Sequence, residues 1–122
     1  MGQAAHKRFD QPDETRTLDK AVLETVHLAE STAGRATFEP GWRWSESVKP
    51  VVGTDACQAH HVGYALSGSL HVRTNEGNEF DIGPEDAYEI LPGHDAWVVG
   101  EEAFRTLEFQ SSTAESYGKD RE

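Results

Sequence analysis

The sequence has one cysteine, so no disulfide can close within the chain. That suits a reducing cytoplasm, which is the expected location. Apolar residues are also scarce: hydrophobic types make up 36% of 122 residues. A core built from so few must be economical, and sheet edges or a partner surface gain weight. No apolar run is long enough to cross a bilayer. The opening stretch Met1-Gly2-Gln3-Ala4-Ala5-His6-Lys7-Arg8 has no apolar segment behind it of the kind a secretion signal needs. Gly2 lacks the hydroxyl residue that a myristoylation motif wants four positions on, where His6 stands. Basic residues are scattered and the formal net charge is −11, which argues against nucleic acid and membrane as partners. There is no glycine-rich phosphate loop, no serine-nucleophile motif and no repeat of solenoid length.

What is present is a series of short alternating segments closed by turn residues. Strands are expected over 21–28, 35–39, 61–66, 70–74, 79–82, 87–91, 96–99 and 103–110. Between them lie Pro40-Gly41, Ser67-Gly68, Asn75-Glu76-Gly77-Asn78, Gly83-Pro84-Glu85-Asp86, Pro92-Gly93 and Gly100. In the first strand Val22, Val26 and Leu28 share a face; Leu23 is off pattern, and a short helix is the competing reading there. Residues 45–54 read as a connector. In an extended chain Trp42 and Trp44 share one side and Arg43 takes the other. Turns about every ten residues, with no long helical period, predict an all-β antiparallel barrel or sandwich. The length fits one domain: an arm over 1–20, a barrel over 21–112 and a polar tail over 113–122.

Two stretches carry a resemblance. The first is Asp55-Ala56-Cys57-Gln58-Ala59-His60-His61-Val62-Gly63-Tyr64-Ala65-Leu66-Ser67-Gly68, and the second is Gly83-Pro84-Glu85-Asp86-Ala87-Tyr88-Glu89-Ile90-Leu91-Pro92-Gly93-His94. Together they resemble the two motifs of the cupin superfamily, whose members are small double-sheet jelly-roll barrels. Gly41-Trp42-Arg43-Trp44 with Pro92-Gly93-His94-Asp95-Ala96-Trp97 also looks like a set of small single-domain bacterial cupins of unassigned activity. Anchoring the last glycine of the first motif on Gly68 puts the family's metal-binding Glu on His61 and its two His on Cys57 and Asp55. Anchoring the second motif on Gly93 puts its His on Ala96. The turns of the family are kept while its usual ligands are replaced.

The candidate metal ligands are Cys57, His61, Asp55 and His94. Asp55, Cys57 and His61 share parity, hence one face of an extended chain. Four extended residues span roughly 13 Å, so Cys57 and His61 can share an ion only if the chain bends at Gln58-Ala59. Thiolate, imidazole and carboxylate together suit a divalent metal, zinc or iron, and His94 on the Pro92-Gly93 turn is the nearest fourth ligand. The bland readings stand beside this one. A lone cysteine is most often a small buried hydrophobe. His60-His61 reads equally as one solvated and one buried, hydrogen-bonded imidazole. Tyr88 and Trp97 are candidates to line a ligand pocket. Tyr64, Trp42 and Trp44 are assigned to packing, the two indoles against the barrel and a second subunit.

Three functions compete. One is a metal-dependent enzyme acting on a small organic molecule. The second is a metal-free binder or sensor that encloses its ligand in the barrel. The third is a structural homodimer, favoured by the arm, the indoles and the family's habit of pairing through sheets. The sequence leaves open whether the chain is an enzyme.

Overall fold

The computed structural model of the chain describes residues 4–54, 56 and 60–109. Among the described residues nine strands follow one another: β1 (Glu14–Leu18), β2 (Ala21–His27), β3 (Thr32–Phe38), β4 (His61–Ser67), β5 (Leu70–Thr74), β6 (Glu79–Ile82), β7 (Ala87–Ile90), β8 (His94–Val98) and β9 (Phe104–Phe109). They form a six-stranded sheet in the order β1-β2-β3-β9-β4-β7 and a three-stranded sheet in the order β6-β5-β8, all antiparallel. Their inward residues meet in one core. Leu23, Phe38, Phe104 and Ile90 come from the first sheet, and Leu70, Val72, Ile82 and Val98 from the second. This is the expected all-β double-sheet barrel. No helix among the described residues is long and apolar enough to cross a membrane.

Four expectations about the N-terminal half are corrected. The stretch read as an arm contributes β1, an edge strand whose Leu18 lies opposite Ala21 across a turn with Lys20 at φ 59. In β2 the inward face is Ala21, Leu23 and Thr25, while Val22 is 37% exposed. Ala21 and Leu23 lie opposite Phe38 and Ala36 of β3, whose inward set fixes the phase. The connector over 45–54 contains two single helical turns, α1 (Trp44–Ser47) and α2 (Lys49–Val52). Asp95 of β8 accepts the Ser45 N–H of the first turn. Pro50 sits at the start of the second, where its missing N–H costs nothing. Finally, Trp42 and Trp44 are 3% and 2% exposed; the barrel of their own chain covers them, and they need no second subunit to do so.

The outer face of the small sheet is polar. Trp97 lies there with the Arg43 guanidinium 4.1 Å from its ring centre and the His71 ring at 4.7 Å. His71 also has Asp81 at 2.7 Å on Nδ1 and Glu79 at 2.7 Å on Nε2. Carboxylates only accept, so both ring nitrogens donate and the imidazolium is favoured. Hydrogen bonds to Glu79 and then Asp81 raise its pKa above the ordinary 6.5. The contribution to stability is therefore complete below 6.5 and is lost as pH climbs through the higher folded value. Urea unfolding across that window should show wild type losing stability relative to His71→Gln as pH rises. A pH-independent difference would contradict it.

Candidate functional site

Four strands bring polar side chains to one end of an otherwise apolar interior. β4 opens with His61, and inward Gly63 and Ala65 follow it at alternate positions. β8 opens with His94, 2% exposed, then turns Ala96 and Val98 inward. β9 turns in Phe104, Thr106 and Glu108, and β7 supplies Tyr88 and Ile90. The His61 and His94 rings meet edge to face with centres 5.0 Å apart.

The hydrogen bonds set the chemistry of each group. Nδ1 of His94 is 2.9 Å from the Leu91 carbonyl. A carbonyl only accepts, so Nδ1 carries a proton, and in the neutral ring Nε2 is the acceptor. Nδ1 of His61 lies 3.2 Å from Glu108 Oε1 and by the same reasoning donates to it. The Tyr88 hydroxyl donates to Glu108 Oε2 at 2.6 Å and touches Thr106 Oγ1 at 2.7 Å. Burial, then the negative charge of Glu108 and the bond to it, push the phenol well above its usual value of 10. Tyr88 is thus a fixed donor.

Gly63 makes this contact possible. It lies opposite Tyr88 of β7 on one side and Glu108 of β9 on the other. A Cβ there would fall 2.6 Å from the Tyr88 hydroxyl oxygen. The phenol reaches Thr106 and Glu108 across β4 because the strand between has no side chain.

The cavity next to these groups is about 30 Å³, room for one or two waters or a few heavy atoms. Its apolar wall includes Phe38, Trp42, Trp44, Leu70, Ile90 and Phe104. Of the expected site residues, His61, His94 and Tyr88 face it. Trp97 does not. On β8 the inward parity belongs to His94, Ala96 and Val98, so Trp97 and Asp95 point away, and the expectation that Trp97 lines the pocket is corrected. Asp55 and Cys57 lie outside the described residues. His60 is on the outer side, 2.8 Å from Glu89. Tyr64, assigned to packing, is 41% exposed on the outer face of β4. Sequence reasoning missed Glu108. It shares the parity of Phe104 and Thr106, but Leu107 and Phe109 on the opposite parity leave the inward side open in the sequence.

No protein-family model matches the chain, and no curated protein does. Solved structures do match. An RmlC-like cupin from Shewanella frigidimarina superposes with a TM-score of 0.61 at 16% identity, over 95% of this chain and 99% of that one. The cupin domain of Cnp3 from Schizosaccharomyces pombe gives 0.56 at 14% identity, over 79% of this chain and 66% of that one. The chain has the cupin fold. The polyketide cyclase RemF from Streptomyces resistomycificus is a further match, with a TM-score of 0.54 at 17% identity over 89% of this chain and 72% of that one.

Many cupins hold a metal, and the donors here meet that need only in part. His94 and His61 each have Nδ1 engaged by an acceptor, the arrangement that orients an imidazole toward an ion. Glu108 already receives Tyr88 and His61. Ala96, which the resemblance sets against the family's second-motif His, offers no donor. Among the described residues no group of three His, Cys, Asp or Glu side chains is placed to hold an ion. The described residues alone do not make a metal centre.

Proposed function

We propose that this cupin domain binds a small organic molecule inside its barrel, at the end where His61, His94, Tyr88 and Glu108 converge. The observation that carries the reading is this cluster: two buried imidazoles, a buried carboxylate and a half-buried phenol, brought by four strands to one apolar cavity. A few convergent polar side chains beside a mostly apolar, aromatic wall are the make-up of a small-molecule pocket. His94 contacts the occupant through Nε2, while His61, Glu108 and Tyr88 form a fixed polar wall. Ligand-detected NMR against a set of small ketones, alcohols and acids is expected to find binders, and the alcohols among them, which can donate to Nε2, should lose about tenfold or more in affinity in His94→Ala. A set with no binder, or alcohols indifferent to His94, would overturn the proposal.

A second reading is supported by the geometry of the two imidazoles. In it a divalent ion, zinc or iron, is held by His61 and His94 with Cys57 and Asp55. Elemental analysis of protein purified without an affinity tag, followed by zinc titration of wild type and Cys57→Ser, separates the readings. Stoichiometric metal lost in the variant favours the ion, because a neutral hydroxyl is a poor zinc ligand. The proposed homodimer rests on the outer face of β4 and β9, where Val62, Tyr64, Leu66 and Phe109 are exposed, and no longer on the buried indoles.

A further inference from the structure

Among the described residues one buried side-chain polar atom is unmatched. The Nε1–H of Trp42 is buried with no hydrogen-bond partner among the described residues. The residue cannot easily turn to find one. Its backbone N–H donates to Glu39 at 3.0 Å and its carbonyl accepts from Val98 at 3.0 Å. Its rings pack on Phe38 with centres 4.4 Å apart, and the side chain forms part of the wall of the cavity that His94 and Glu108 also line. Buried donors are nearly always paired, and an orphan one carries the full loss of its water contacts. Phenylalanine would fill the same wall without that cost, so the N–H is the part of Trp42 that packing does not explain.

We infer that the Trp42 indole N–H is the recognition donor for the occupant of the barrel, and that this occupant is a neutral oxygen compound, a ketone or an alcohol, with an apolar body. The inference rests on the reading of the barrel as a small-molecule site and names the class of molecule. An indole N–H donates only, so the ligand must accept. A ketone oxygen does so alone, and an alcohol oxygen does so while its own proton goes to Nε2 of His94, the acceptor that lines the same cavity. An anion is disfavoured, because the Glu108 carboxylate already lines the cavity and the chain carries −11. A single neutral N–H also cannot offset the desolvation of a carboxylate. The cavity of about 30 Å³ limits the part of the molecule near the indole to a few heavy atoms.

Acetone, acetate and isobutene test this. They share one four-atom shape and differ in presenting a neutral oxygen, an anionic oxygen or none. The readout is the indole ¹H–¹⁵N signal of Trp42, assigned by Trp42→Phe, during titrations at concentrations on the order of millimolar, as such small probes require. Acetone is expected to move the Trp42 indole proton downfield to a plateau. Acetate should bind about tenfold more weakly, and isobutene should perturb the cavity without the downfield shift. In Trp42→Phe the affinity for acetone should fall about tenfold, while that for isobutene holds. Equal acetone affinity in the two proteins, an indole signal that stays in place while acetone perturbs His94, or acetate binding as well as acetone would overturn the inference while leaving the barrel a ligand site. If none of the three perturbs His94, Phe38 or Phe104, the small-molecule reading falls and takes this inference with it. Should the variant fail to fold, the wild-type indole signal, assigned instead through its contact with the Phe38 ring, decides.

Discussion

Gly68→Ala is expected to remove about 4 kcal/mol or more of stability, a loss reserved for a few severe mechanisms, and so most of what a small domain has. Two costs combine. Gly68 holds φ at +80, and a Cβ there would lie 2.3 Å from the Ala103 carbonyl oxygen and 2.7 Å from the Phe104 Cα. Those are backbone atoms and cannot swing aside. They also lead into β9, whose Phe104 is fully buried at the centre of the core. Gly77→Ala is the control. Its φ is +96 and nothing lies within 4 Å of the added carbon, so it should cost only the left-handed conformation, about 1 kcal/mol. Urea denaturation of the two variants separates the terms, and equal losses would show that the contact with Ala103 and Phe104 is not the cause.

Gly68 also shows why the fold could be read before it was seen. The closing glycine of the first motif, the Asn75–Asn78 turn and Pro92-Gly93 are chain reversals set by residue type, and the strands between them fall where the turns leave room. β5 and β6 begin and end where the sequence places them. The failures lie where pairing with a distant strand decides. The β1 segment Glu-Thr-Arg-Thr-Leu is too polar to announce a strand, and it forms one because β2 offers an edge. Val22 and Leu23 are equally apolar, and the register with β3 settles which turns inward.

The site was legible to a similar depth. His61 and His94 were found because each stands at a motif position or beside a motif turn. Glu108 was not, because a charged residue in a strand of alternating pattern looks solvated until the other side of the barrel is known. Trp97 was misplaced by one step of parity: His94, Ala96 and Val98 turn inward on β8, and an indole beside the motif turn looks like a pocket residue from its type alone. In each case the residue type was readable and its side of the sheet was not.

Gly63→Ala is the second large effect, expected at about 3 kcal/mol, typical of overpacking a closed core, together with loss of binding in the cavity. The added carbon would stand 2.5 Å from the Leu107 carbonyl oxygen, 2.6 Å from the Tyr88 hydroxyl oxygen and 2.7 Å from its Cζ. The phenol must leave its place across β4, and both of its contacts, to Glu108 and Thr106, go with it. Tyr88→Phe is the milder comparison. It keeps the ring over Gly63 and removes only the hydroxyl, so Glu108 loses one donor at a cost of about 1–2 kcal/mol. Adding Tyr88→Leu to Gly63→Ala should recover part of the loss, because the shorter side chain clears the new methyl, and neighbours in contact are not additive. Three unfolding curves and the ligand NMR described above check this. If Gly63→Ala keeps wild-type stability and binding, the bare stretch of β4 is not what seats Tyr88 against Glu108.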